Sequence, residues 1–109
     1  MSGITTHVLD AVRGKPAAGI GVRLEVQDDG VWRLLGESKT NVDGRCRDLV
    51  NEPAAGVYRL TFATGSYLKS HRRTSIYPEI VVCFEFAGDE HYHLPLLLSD
   101  NSYTTYRGS

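Results

Sequence analysis

Long apolar runs are missing from this chain. No stretch approaches the roughly 18–20 consecutive apolar residues that a membrane-spanning helix needs, so the sequence offers no helical span. An excess of charge of one sign is missing too: 12 basic against 13 acidic residues leave a net charge of −1. That balance gives no electrostatic footing for nucleic acid or for a membrane surface. The one basic cluster, His71-Arg72-Arg73, is too short to alter this and is read as a solvated turn. Cysteine is scarce, and Cys46 and Cys83 fit no Cys-x-x-Cys or zinc spacing. Two reduced thiols in a cytosolic protein are the expectation. The N-terminus has no basic-then-apolar leader, and there is no linker, repeat or low-complexity segment.

What is present is the composition of one small soluble domain spanning residues 1–109, with 41% apolar and 23% charged residues. A chain of this size buries only a thin core and gains from oligomerisation. Most of it has strand character. Ile4 to Asp10 sets Ile4, Thr6 and Val8 on one face against Thr5, His7 and Leu9 on the other. Gly21 to Gln27 alternates Val22, Leu24 and Val26 with Arg23, Glu25 and Gln27; Asp28-Asp29-Gly30 then turns the chain into Val31 to Lys39. Asn41-Val42-Asp43-Gly44 turns it again. Val57 to Ala63, Glu79 to Phe86, His91 to Leu98 and Tyr103 to Arg107 complete the strands, and Thr64 to Ser70 breaks the alternation where one short helix fits. Seven or eight short strands, with turn signals about every 8–12 residues, predict an all-β antiparallel sandwich.

The residues able to do chemistry form no specific motif by spacing alone. His91 and His93 lie two apart on a strand and share a face. Such a pair suits a metal, but no third and fourth ligand is evident, so the bland reading is a solvent-facing strand. Pro95 faces the same way and implies an edge, a bulge or a strand end. His7 lies opposite the core positions of its strand, and Arg45 follows an Asp-Gly turn, where an arginine ordinarily sits in solvent. A Ser-His-Asp set can be drawn from Ser109, His93 and Asp10, but triads are recognised by geometry.

Four separated segments change these weights. They are Thr6-His7-Val8-Leu9-Asp10, the Asp43-Gly44-Arg45 turn, His91-Tyr92-His93-Leu94-Pro95-Leu96-Leu97-Leu98 and the terminal Tyr106-Arg107-Gly108-Ser109. In that order, they resemble the 5-hydroxyisourate hydrolases, the enzyme branch of the transthyretin family, from Ile4 to Ser109. The resemblance implies a transthyretin-like two-sheet sandwich with one short helix after the fifth strand. It also implies a homotetramer, a dimer of dimers with its sites at the dimer–dimer interface. His7, Arg45 and His93 match the family's catalytic positions, and His7, Arg45, Tyr106, Arg107, Gly108 and Ser109 its substrate-binding ones. Two stretches depart from the pattern: Cys46-Arg47-Asp48, where a proline is common, and Ser99-Asp100-Asn101-Ser102, in place of a Ser-Pro type. Both are read as turn variations, with the partner of Arg47 left open.

The implied reaction is hydrolysis of the N1–C6 amide of 5-hydroxyisourate to 2-oxo-4-hydroxy-4-carboxy-5-ureidoimidazoline, in urate degradation. An arginine fork can hold the ring oxygens and meet developing charge. An imidazole can take a proton from water near neutrality and return it to the leaving nitrogen. His7 and His93 are expected to flank that water, with the roles of base and partner left open. The tail is expected to shape the pocket, and Ser109 to bind substrate or water without forming a covalent intermediate. No metal or cofactor is implied. The competing reading is a transthyretin-like carrier holding a small aromatic ligand in the tetramer channel. A polar channel lining favours the enzyme. A secreted sandwich with no active site leaves the four matches unexplained. The expected location is cytoplasmic, or periplasmic if a leader was removed; Arg-Gly-Ser is not a peroxisomal Ser-Lys-Leu signal.

Overall fold

The structure, a computed structural model, describes residues 3–108. Two sheets pack face to face. The first has the order β2-β1-β8-β9, built from β1 (Gly3–Asp10), β2 (Lys15–Pro16), β8 (His91–Leu98) and β9 (Tyr103–Thr105). A further short strand, β5 (Arg45–Cys46), pairs with β1. The second sheet has the order β4-β3-β6-β7, from β3 (Gly21–Asp28), β4 (Val31–Lys39), β6 (Gly56–Phe62) and β7 (Ile80–Phe86). The single helix among the described residues, α1 (Thr64–Ser70), covers the residues predicted for it and follows the sixth strand, not the fifth, because the two-residue strands β2 and β5 add to the count.

The sandwich, its strands and its helix agree with the sequence reading, with three refinements. The central pair β1–β8 is parallel, running from Gly3↔His91 to Asp10↔Leu98. All other strand pairings are antiparallel. The two-residue strands β2 and β5 have no periodicity that a sequence can display. Both pair with β1, at Leu9–Asp10 and at Thr6–His7. The last strand ends at Thr105, short of the expected Arg107.

The core forms as the alternation requires. Ile4, Val8, Leu96 and Leu98 meet Val22, Leu24, Leu60, Phe62 and Phe86, all almost fully buried. Each such side chain contributes about 1.5–3 kcal/mol. This burial fixes the register of β1 and β8, because a slip of one residue would turn every side chain to the other face. The same constraint therefore turns Thr5, His7, His91 and His93 outward together.

One end of the sandwich is closed by polar groups. Asp10 is fully buried and accepts hydrogen bonds from Tyr67 Oη (2.8 Å) and from both Nη atoms of Arg73, at 2.5 and 3.1 Å. Arg73 also pairs with Asp100, and Asn101 Oδ1 accepts from the Ile76 N–H at 2.9 Å. Two sequence expectations are corrected here. The basic triplet is a solvated turn at His71 and Arg72, both exposed, but not at Arg73, whose side chain is only 14% exposed. The Ser99–Ser102 loop is more than a turn variation, because Asp100 and Asn101 anchor the segment after α1.

Candidate active site

The outward face of β1 and β8 gathers the imidazoles. Thr5 stands beside His93, and His7 beside Pro95, in the parallel register. The Thr5 hydroxyl touches two rings at once, with His91 Nε2 and His93 Nδ1 each 2.8 Å away. Sequence reasoning missed Thr5. Its only signal was a place on the histidine face of β1.

Arg45 is delivered by the Asn41–Gly44 turn. Asn41 Oδ1 accepts from the N–H groups of Asp43 and Arg45, both at 2.9 Å. Gly44 has φ +76°, and a Cβ there would lie 2.4 Å from the Val8 carbonyl, so only glycine lets the turn reach β1. Arg45 then pairs with His7 across the ladder and is half-buried. The solvent position expected from its turn context is therefore replaced by a place on the histidine face. The turn also fixes His7, whose Nε2 lies 2.8 Å from the Asp43 carbonyl. A carbonyl only accepts, so Nε2 carries the proton and Nδ1 of the neutral ring keeps its lone pair.

The tail comes back along β8. Leu96↔Thr105 and the bridge His93↔Gly108 share one register, which sets Tyr106 opposite Pro95 and Arg107 opposite Leu94. The Gly108 N–H donates to the His93 carbonyl at 2.7 Å. Residue 95 points its backbone the same way as residue 93, and proline has no N–H to give, so the ladder is interrupted there. The edge, bulge or strand end expected at Pro95 does not form: Pro95 lies inside β8, a central strand, and the gap falls only in its pairing with the tail. A Cβ on Gly108 would lie 3.0 Å from His93 Cδ2 and 3.3 Å from Pro95 Cγ, so the tail packs directly on the ring.

Alternation sends Arg107 the other way. Its guanidinium lies 4.0 Å over the Tyr92 ring and pairs with Glu90. Arg107 thus clamps the tail, while Tyr106 is exposed and Gly108 touches His93. Ser109 lies outside the described residues. The Ser109-His93-Asp10 set is not a triad, because Asp10 faces the interior and is bound by Arg73 and Tyr67.

Thr5, Arg45, Arg47, His91 and His93 line one shallow concavity. Among the described residues the ion pairs engage Arg33, Arg59, Arg73 and Arg107, and neither Arg45 nor Arg47. The face is therefore cationic. Burial pushes the His93 imidazole below its ordinary pKa, and the charges of Arg45, His7, His91 and Arg47 add to that. Both causes favour the neutral form of the His93 ring.

The family model described as the HIUase/Transthyretin family matches residues 4–108. The chain belongs to this family. It is 46% identical to the 5-hydroxyisourate hydrolase of Caulobacter vibrioides, each chain being covered in full. Its fold overlays that of Klebsiella pneumoniae 5-hydroxyisourate hydrolase with a TM-score of 0.89 and 35% identity, again covering both chains fully. It overlays transthyretin from Sparus aurata with a TM-score of 0.94 and 32% identity, covering 99% of this chain and 97% of the other. Overlay on both branches of the family speaks to the shared sandwich; the side chains on the outward face of β1 and β8 decide what the sandwich does.

Proposed function

We propose that this protein hydrolyses 5-hydroxyisourate, the unstable product of urate oxidation, at the N1–C6 amide bond. The observation that carries the reading is the His93 imidazole, held below its ordinary pKa by burial and nearby cations, beside Arg45 and Arg47 on an outward face. Full-length likeness to relatives named for that activity supports it. A carrier of apolar aromatic ligands would want aliphatic residues there.

The chemistry follows from the groups in place. His93 Nε2 takes a proton from a water in line with its in-plane lone pair. The hydroxide adds to C6, and the oxyanion that forms meets the Arg45 guanidinium, an electrostatic role that is strongest where water is partly excluded. Collapse breaks C6–N1, and the proton returns to the departing nitrogen. His7, with Nε2 tied to Asp43 and Nδ1 left to accept, orients the water. Gly108 and the clamped Arg107 hold the tail against His93. Protein groups alone suffice for these steps, and no cofactor enters the reading. The test is turnover in ¹⁸O-water with mass spectrometry of the product. One solvent oxygen in the new carboxylate is expected; a product without label would end this assignment of the bond.

The face is shallow in a single chain, and a second chain would close it. β7 and β9 are the terminal strands of their sheets and present Val81 and Tyr103, both exposed. We read these edges as the pairing surfaces of a dimer, two of which stack into a tetramer over the histidine face. Light scattering at micromolar concentration should report four chains; a monomer would contradict this.

A further inference from the structure

We propose that Thr5 and His91 form a proton relay behind His93, with the Thr5 hydroxyl setting which nitrogen of His93 carries the proton and His91 exchanging that proton with solvent. The inference rests on the reading of His93 as the base. Its carrier is the geometry of one hydroxyl held 2.8 Å from His93 Nδ1 and 2.8 Å from His91 Nε2.

A hydroxyl has a single proton to give. When Thr5 donates to His91 Nε2, its oxygen must accept from His93 Nδ1–H, and His93 Nε2 is left bare as a base. When His91 Nε2–H donates to Thr5, Thr5 donates to His93 Nδ1, and His93 Nε2 carries a proton as an acid. The two arrangements differ by proton shifts along one line, with no ring movement. Gly108 packed on the Cδ2 edge of His93 resists such movement.

The relay balances over one turnover. His93 Nε2 accepts a proton from water and becomes imidazolium. The Nδ1–H bond then breaks as a new O–H bond forms on Thr5. The original O–H bond of Thr5 breaks as His91 Nε2–H forms. His93 is left neutral with its proton on Nε2, and His91 carries the charge; as the Nε2 proton passes to the leaving nitrogen, the Thr5 O–H proton moves to His93 Nδ1 and the His91 Nε2 proton moves to Thr5, so both rings end neutral. The groups facing His93 favour this transfer: His7 on β1, Arg45 on β5, Arg47 beyond it and His91 on β8 all disfavour a charged His93. Glu90, the nearest carboxylate in sequence, is engaged by Arg107. His91 is exposed in the single chain, so water can solvate its charge and exchange its proton, giving one back before the ring returns its own through Thr5.

Thr5 and His91 are positioning residues, and the test needs a readout that packing alone would not move. Thr5→Val keeps the shape and removes the hydroxyl. It should lower kcat on the order of ten-fold, part of the roughly 10²–10⁴-fold that a positioned acid–base group supplies, with KM nearly unchanged. Thr5→Ser should restore it. His91→Gln should lower kcat and make it rise with buffer concentration. In ¹⁵N NMR, neutral His93 should carry its proton mainly on Nδ1 in the native protein and shift toward Nε2–H in Thr5→Val. Native kcat in Thr5→Val and His91→Gln, with unchanged His93 nitrogen shifts, would overturn the relay. If the native protein left 5-hydroxyisourate untouched, the proposed function would fail, while the nitrogen shifts would still decide whether Thr5 sets the tautomer.

Discussion

His93→Asn is expected to lower kcat for 5-hydroxyisourate on the order of 10²–10⁴-fold, the usual contribution of a positioned acid–base group, while KM moves much less. The argument is the environment of the ring. Burial is the larger cause of its depressed pKa, with Arg45, His7, His91 and Arg47 adding to it. The sign follows: the neutral ring is the base, so activity is full above this pKa and falls as pH drops through it, below the ordinary value of about 6.5. Replacing Arg45 by Gln removes one of those cations and should move the acid limb upward. It should also lower kcat about 10²–10³-fold, as loss of an oxyanion partner does. Rates measured from pH 5 to 8 check both. A His93→Asn variant within two-fold of native kcat would remove His93 from the chemistry.

Asp10→Asn is expected to destabilise the fold by about 3–5 kcal/mol, the cost of removing one partner from a buried ion pair. Asp10 is fully buried and Arg73 nearly so. Burial pushes the Asp10 carboxyl up, but hydrogen bonds from Arg73, Tyr67 and the Arg13 backbone outweigh it and leave the pKa at about 2, against an ordinary 3.8. A depressed carboxylate stabilises the fold in full above its unfolded value and loses that contribution as pH falls through its folded one. The native protein should therefore lose stability between about pH 4 and pH 2, and Asp10→Asn should be flatter over that window. Urea unfolding at pH 7, 4 and 2.5 reads both effects. Equal stability of native and variant at pH 7 would show that the pair carries no net weight.

The sandwich was legible because strong alternation, as in Val22–Leu24–Val26 and Tyr58–Leu60–Phe62, leaves one buried face to choose. The parallel β1–β8 pairing was not, since periodicity carries no information on direction. His7 and His93 could be placed on outward faces by counting alone. What counting cannot reveal is that β5, two residues long, docks Arg45 beside His7. Such a strand forms through tertiary contact with β1, not through its own pattern. The burial of Arg73 is illegible in the sequence for a related reason: its partners Asp10 and Asp100 are distant along the chain. The family resemblance brought the tail into the site as a unit. The alternation of the tail along β8 then divided it, with Gly108 on His93 and Arg107 on Tyr92.

The most direct test of the central claim is the ultraviolet decay of freshly generated 5-hydroxyisourate with the protein far below substrate concentration. The account predicts complete, accelerated decay through many turnovers per chain. Decay at the spontaneous rate, or an effect that stops at one equivalent, would contradict it and point to a carrier.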